Sequence, residues 1–299
     1  MTLLIINPKS GGNKTLKKWK KLSHLIPHDI VMTLDQWMNS AQRPTPDDKI
    51  LSAGGDGCLH SIINTLIKNF GISVLSEISI GAIGLGSNNS YLQPFKDRLF
   101  IEGVAVQIQE PHFFRDLIEV EIEKNSIVEK KWIVSNASLG VLAFANQNFN
   151  QNFFVQILKK ISMSLADIFS FILTLIQFKP VDLKIEFSPG ILQSFSVTNL
   201  HWLKAPYFTK DLHFPTLASI DSGLLDFYGL TFSSKWNVLV RFVKMLFLQK
   251  MSCGYEFHRT MPSLTVISSE GTLLETDGEI VYGNKFKFTV HRQAMRCLS

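Results

Sequence analysis

The sequence predicts an α/β protein in two parts, a parallel α/β layer over the first hundred residues and a β-rich half beyond it. Two observations carry this. Before residue 100, short apolar runs alternate with helical periodicity, and each run ends in a glycine-rich turn. From about Arg115 the pattern becomes a period-two alternation, as in Leu117-Ile118-Glu119-Val120-Glu121-Ile122, Leu183-Lys184-Ile185-Glu186-Phe187 and Lys285-Phe286-Lys287-Phe288-Thr289-Val290. Such alternation marks antiparallel strands with one covered face. A length of 299 residues agrees with two domains at roughly 150 residues each.

Leu3 to Ile6 is the first strand; its apolar run is too short for a signal peptide, lacks a basic start and meets Pro8 at once. Thr15 to Leu25 is helical, with Leu16, Trp19 and Leu22 at spacings of three. Lys49 to Ala53 is a strand that leads into Gly54-Gly55-Asp56-Gly57 and a helix from about Cys58 to Asn69, with Leu59, Ile62, Ile63 and Leu66 on one face. The segment from Ile78 to Ser90 repeats this scheme of apolar strand and small flexible residues. Ligands of open α/β sheets sit outside the carboxyl ends of the strands, so the three turns point to one site. Two helical stretches, Phe153 to Phe178 and Lys235 to Met251, interrupt the β-rich half. Ile161 to Phe178 approaches the ~18–20 residues that cross a bilayer. Asp167, several hydroxyl side chains and the flanking Lys159, Lys160 and Lys179 favour a buried or interface-lying helix instead.

Composition narrows the function classes. Thirty basic and 25 acidic residues give a net charge of +5, and the charged fraction of 18% is below the usual ~25%. With 45% hydrophobic residues and 23 Phe, disorder, collagen and coiled coil are excluded and an apolar partner is expected. Cys58, Cys253 and Cys297 show no paired spacing, so neither a disulfide framework nor a zinc site is indicated and a reducing compartment is expected.

Four turns carry candidate chemistry. Asn7-Pro8-Lys9-Ser10-Gly11-Gly12 after the first strand suits either an anion bound by backbone N–H groups at a helix start or a plain tight turn. Gly54-Gly55-Asp56-Gly57 places a lone carboxylate among glycines, where it faces a nucleotide-bound cation or merely forms a turn; there is no P-loop and no spaced GxGxxG. In Gly84-Leu85-Gly86-Ser87-Asn88-Asn89-Ser90, the hydroxyl and amide groups serve a phosphate or a helix cap. Near the C-terminus, Asp277-Gly278 fits a type I′ hairpin turn, or else Asp277 and Glu279 present two carboxylates to a cleft, one of them accepting the proton of an attacking hydroxyl.

In this order and spacing the pieces resemble the diacylglycerol kinase catalytic-domain family, which includes bacterial lipid kinases and sphingosine and ceramide kinases. The resemblance runs through the NPKSGG turn, GGDG at 54–57 with Asn64 in the next helix, and GSNN at 86–89. It continues with Asn136-Ala137-Ser138-Leu139-Gly140, Asn199, Ser222-Gly223-Leu224-Leu225-Asp226 and Asp277-Gly278-Glu279. It implies an N-terminal NAD kinase/phosphofructokinase-like nucleotide-binding α/β domain over 1–115, joined by about 291–299, and a C-terminal β-sandwich lipid-substrate domain over 116–290. It further implies transfer of the γ-phosphoryl of ATP, with Mg²⁺, to a lipid hydroxyl, most directly diacylglycerol giving phosphatidic acid, or a sphingoid lipid. Carried over residue by residue, Asn7, Ser10, Gly11, Gly54, Gly55, Asp56, Gly57, Gly86, Ser87 and Asn89 line the nucleotide. Asp56 organises the metal, and Asp277 is the base with Glu279 beside it.

The chain departs from the family pattern at four places. Cys58 stands where Thr is common, Ser61 where Glu is common, Ser90 where an acid follows the Asn, and Asp221-Ser222-Gly223 where many bacterial members have Asp-Asp-Gly and a structural metal. A kinase-fold protein that binds nucleotide or lipid with little catalysis is therefore the alternative. Lys17, Lys18, Lys20 and Lys21, and Lys235, Arg241, Lys244 and Lys250 among large apolar residues, fit either a peripheral contact with an anionic membrane or ordinary solvated helix faces. A cytoplasmic, membrane-associated protein without nucleic-acid partners is expected, and a homodimer is open.

Overall fold

A computed structural model describes residues 1–10, 15–40, 42–86, 89–92, 99–204, 219–231, 234–248 and 255–299. The chain begins with β1 (Thr2–Ile6), α1 (Thr15–Leu22), β2 (Ile30–Thr33), α2 (Leu34–Ser40), β3 (Lys49–Gly54), α3 (Asp56–Phe70), α4 (Val74–Glu77) and β4 (Ser79–Gly84). Strands β4, β3, β1 and β2 lie side by side in parallel. Both faces of this layer are covered, which is why its strands read as unbroken apolar runs. Leu3, Ile5 and Ile50 pack on one side under α3, with Leu59, Ile62, Ile63 and Leu66. Leu4, Ile6 and Leu51 pack on the other with Trp19 and Leu22 of α1.

Next come β5 (Leu99–Ile101), β6 (Val104–Gln107), β7 (Phe113–Lys124), β8 (Ile127–Ile133) and β9 (Asn136–Gly140). Three helices follow, α5 (Val141–Gln151), α6 (Phe153–Ile161) and α7 (Met163–Gln177), then β10 (Val181–Ser188), β11 (Ile191–Leu203) and β12 (Leu225–Thr231). The chain ends with α8 (Lys235–Leu248), β13 (Phe257–Met261), β14 (Ser263–Thr276) and β15 (Glu279–Cys297). Hydrogen bonding runs β13-β12-β11-β10-β14-β15 and then into β4-β3-β1-β2. The period-two faces of the β-rich half close over Trp202, Phe227, Phe286 and Phe288, with the Trp202 and Phe288 rings stacked at 4.3 Å. Strand β15 joins the two regions: Lys285 to His291 pair with β7, and Cys297 pairs in parallel with Ile80 of β4.

The expected strands and glycine turns are present, and Asp277-Gly278 forms the β14–β15 hairpin turn with φ of 46° and 98°. Two expectations need correction, and one segment without a sequence assignment acquires structure. Helix α1 stops at Leu22 rather than Leu25. The segment between 26 and 48 contains β2 and α2, a four-residue edge strand passing directly into a helix. The stretch from Phe153 to Phe178 is two helices, because Asn152 accepts hydrogen bonds from Phe154 and Val155 N–H, and Ser162 from Leu165 N–H, so a new helix starts at each cap. Among the described residues no helix is long and apolar enough to cross a membrane.

Gly140 ends β9 with φ +102°, and a Cβ there would lie 2.4 Å from the Thr198 carbonyl oxygen. Gly140→Ala should therefore destabilise the fold by about 1–3 kcal/mol from backbone strain alone, with the clash adding to it. Parent-like urea unfolding of this variant would refute the described packing of β9 on β11.

Candidate functional site

The carboxyl ends of β1, β3 and β4 meet at three turns in close backbone contact. Gly55 and Gly86 approach so nearly that a Cβ on Gly86 would sit 2.4 Å from the Gly55 Cα. Leu85 and Gly86 N–H both bond the Gly54 carbonyl at 2.9 Å, fixing the two strand ends together. Ser10 closes over the same place, its hydroxyl 3.3 Å from where a Gly54 Cβ would stand. Asn7 donates its N–H to Ala53 and accepts from Lys9 N–H, shaping the first turn. Nothing lies within 4 Å of a Cβ built on Gly57, in the first turn of α3, so this helix start is open. Gly11 and Ser87 lie outside the described residues.

Asp56, the first residue of α3, accepts Ser90 N–H on Oδ2 and Tyr91 N–H on Oδ1, each at 2.9 Å. Burial raises its proton affinity; the two amides oppose that, and the nearby Asp277 charge adds to it. One helical turn on, His60 Nδ1 lies 3.1 Å from Asp277 Oδ2. Asp277 has a side chain only 2% exposed, although it sits in a hairpin turn. Its carboxylate accepts three backbone N–H groups, from Val134 at 2.7 Å, Ser135 at 2.9 Å and Asn136 at 3.0 Å. The expectation of a free carboxylate reaching into the cleft beside Glu279 is thus corrected. Asp277 turns inward to satisfy the β8–β9 corner, whereas Glu279 is exposed at the start of β15. The acid that does neighbour Asp277 is Glu275, which accepts Ser138 Oγ–H at 2.8 Å and Gly278 N–H at 2.6 Å.

Two side chains, half-buried Asn64 and buried Arg115, connect the carboxylate grips. The Asn64 amide bonds both the N–H and the carbonyl of Trp132 at 2.9 Å, tying α3 to the end of β8. Arg115, fully buried, donates to the carbonyls of Tyr91 at 3.3 Å and Val134 at 3.2 Å and lies over the Tyr91 ring. Tyr91 and Val134 are themselves amide donors to Asp56 and Asp277, so one guanidinium spans both anion-holding corners.

The structure gathers Asn7, Ser10, Gly54, Gly55, Asp56, Gly57, Gly86 and Asn89 at one place, with Asp277 against them. Asn89 spends its side chain locally, bonding Gly86 N–H and the Gly84 and Gly86 carbonyls, so it shapes the loop. Asn199 accepts Leu142 N–H and holds the start of α5. Cys58 points into the core, where burial pushes its thiol up to about 11, and Ser61 bonds back to the Gly57 carbonyl. His60, Arg115 and Glu275 are site residues that the sequence reading does not single out, and Ser138 enters it only within the Asn136–Gly140 motif. His60 carries a legible signal, being four residues after Asp56 and so on the same helix face. A metal fits Asp56 alone of the two acids: each Asp56 oxygen accepts a single amide and, among the described residues, no Lys or Arg pairs with it, whereas the Asp277 oxygens already accept three amides and face His60. This suits Mg²⁺, which is usually held by one or two carboxylates plus phosphate oxygens and water.

This architecture is that of solved kinases. The chain superposes on a diacylglycerol kinase from Bacillus anthracis str. Sterne with a TM-score of 0.62 at 15% identity, covering 99% of this chain and 96% of that one. It superposes on yeast NADH kinase complexed with NADH with a TM-score of 0.51 at 10% identity, covering 100% and 83%. Residues 1–112 match the model of the diacylglycerol kinase catalytic domain. No curated protein matches the sequence.

Burial, and next to it the charge of Asp277, raise Glu275 from 4.5 to about 7. Folded Glu275 therefore keeps a proton that the unfolded chain has lost, and its stabilising contribution is present below about pH 4.5 and lost as pH rises through 7. Glu275→Gln mimics the protonated form. Relative to the parent it should gain on the order of 3 kcal/mol between pH 4.5 and pH 8 in urea unfolding. A pH-independent difference between the two proteins would place the Glu275 carboxyl in water.

Proposed function

We propose that the protein is an ATP- and Mg²⁺-dependent lipid kinase that phosphorylates a lipid hydroxyl, diacylglycerol ahead of a sphingoid base. The observation that supports this reading is the acid pair: Asp56 at the glycine turns and Asp277 from the β-rich half, near enough that the charge of Asp277 raises the proton affinity of Asp56, with neither paired to Lys or Arg among the described residues. In this proposal residues 1–115, with about 291–299, form the nucleotide-binding domain and 116–290 the lipid-substrate domain. The turns at Asn7–Ser10, Gly54–Gly57 and Gly86 bring small residues and backbone N–H groups to the phosphates. Asp56 would hold a bound Mg²⁺ directly or through water, and the ion would supply charge neutralisation at the phosphates. Asp277, gripped by three amides, receives the His60 Nδ1–H and so orients the imidazole. The His60–Asp277 unit then takes the proton of the lipid hydroxyl, in the manner of histidine–aspartate pairs elsewhere.

Peripheral contact with an anionic membrane is part of the same proposal. Helices α6, α7 and α8 leave large apolar side chains in the open, among them Phe153 at 71%, Ile161 at 72% and Trp236 at 73% exposure. Lys159, Lys179, Lys235 and Lys244 lie on or beside these helices. Asn146 of α5, which packs on α7, bonds the Gly278 carbonyl beside Asp277, so the apolar layer adjoins the acid pair. Lys250, part of the same basic pattern, lies outside the described residues.

Asp56→Asn removes the charge at nearly constant volume and leaves one of the two amides facing a nitrogen. In a mixed-micelle assay with labelled ATP and a lipid panel, turnover should fall by roughly 10²–10⁴-fold, while the chain still folds and melts lower only by the several degrees that the loss of one hydrogen bond, about 1–3 kcal/mol, accounts for. Wild-type nucleotide binding without turnover on any lipid would instead identify a kinase-fold binding protein. For the membrane contact, Phe153→Ser with Ile161→Ser should weaken co-sedimentation with phosphatidylglycerol-containing vesicles by about tenfold or more, given ~1.5–3 kcal/mol per buried large side chain. Reversing Lys235 and Lys244 should make the remaining binding less salt-sensitive. Unchanged vesicle binding in both variants returns these faces to ordinary protein surface.

A further inference from the structure

Behind the acid pair, at the start of β7, lies a second buried charge cluster. Lys204 directly follows β11, and neither its side chain nor that of Asp116 is exposed at all. Among the described residues the ammonium's hydrogen-bond partners are all oxygens: Asp116 Oδ2 at 2.7 Å, the Ser219 carbonyl at 2.7 Å, the Leu224 carbonyl at 2.5 Å and Ser222 Oγ at 3.4 Å. Its three protons match the three nearest acceptors. The remaining capacity of the cage is closed internally. Asp116 also accepts Gly223 N–H at 2.6 Å and Gln293 N–H at 2.8 Å, and Ser222 Oγ accepts Leu224 N–H and donates to the Ser219 carbonyl.

One carboxylate, two carbonyls and a hydroxyl converging on a point is the donor set of a hard divalent cation, not of a hydrophobic core. The segments that supply it are the start of β7, the end of β11, the 219–224 loop and the irregular turn of β15 at Gln293, where φ is +50°. We propose that this is a cation site occupied by the chain's own ammonium, so that Lys204 does covalently what a bound metal would do, and that removing the amine opens a binding site for a divalent ion. This accounts for Ser222, since a second carboxylate beside Asp116 would over-neutralise a monovalent amine. Burial pushes the proton affinity of the Lys204 amine below that of an ordinary lysine, and the Asp116 carboxylate opposes that shift.

The experiment is thermal melting of the full chain in chelator and in millimolar Ca²⁺. Lys204→Ala should melt about 6–15 °C below wild type in chelator, because Asp116 is left buried without a partner. In Ca²⁺ it should regain at least half of that loss, beyond any shift that Ca²⁺ gives wild type. Lys204→Met, which fills the cage, should fall without regaining, and Asp116→Asn added to Lys204→Ala should abolish the regain. Equal Ca²⁺ shifts in wild type and Lys204→Ala, or equal regain in Lys204→Met, would overturn the proposal. If Lys204→Ala does not fold in chelator, refolding from urea decides the matter: recovery in Ca²⁺ alone supports the proposal, and no recovery in either buffer rejects it.

Discussion

Two carboxylates, half-buried Asp56 and buried Asp277, one from each half of the sequence, dominate the construction of this protein. A buried carboxylate is tolerated only when its oxygens are hydrogen-bonded, and here backbone amides do most of that. Five N–H groups, from Ser90, Tyr91, Val134, Ser135 and Asn136, point at Asp56 and Asp277. Amides can be aimed this way only if the loops that carry them are rigid. Arg115 supplies rigidity by holding the carbonyls of Tyr91 and Val134, and Asn64 by pairing with both polar groups of the Trp132 peptide. Local chain geometry and tertiary packing are therefore not separable at this site.

The long hairpin strand follows from the same requirement. Asp277 belongs to the turn between β14 and β15, yet its partners lie at the end of β8 and on α3. Strand β15 pairs with β7 along most of its length and finishes against β4, so the turn and the parallel layer are parts of one continuous hydrogen-bonded sheet. Such continuity keeps the carboxylate from one half of the sequence in register with the glycine turns of the other.

Much of the parallel layer was legible because its signals are local. Apolar runs covered on both faces, glycine turns at their ends and helical spacing in α3 depend on neighbours in sequence. The helical insertion was half legible, since apolar content is visible but the caps at Asn152 and Ser162 resemble ordinary polar residues. The orientation of Asp277 was not legible. A type I′ turn normally exposes its side chains, and only the distant β8–β9 corner, with three free N–H groups, turns this one inward. Glu279 looked equivalent to Asp277 in the sequence because nothing local distinguishes an amide-rich environment from water. His60 was readable from its spacing, whereas Arg115 and Lys204 were indistinguishable from the chain's many surface cations.

The placement of positive charge separates the permanent from the exchangeable. Arg115 and Lys204, both buried, are committed to backbone carbonyls and, for Lys204, to Asp116. They stand next to the acid pair, yet neither forms an ion pair with Asp56 or Asp277 among the described residues. A guanidinium or ammonium paired to Asp56 would stabilise the empty fold, but it would also occupy the coordination that a cation arriving with a nucleotide needs. The arrangement instead pays in stability, leaving like charges close enough that Asp277 raises the proton affinity of Asp56. Under the kinase reading this repulsion is relieved when a metal–nucleotide complex binds, which couples substrate binding to a tighter union of the two halves of the chain.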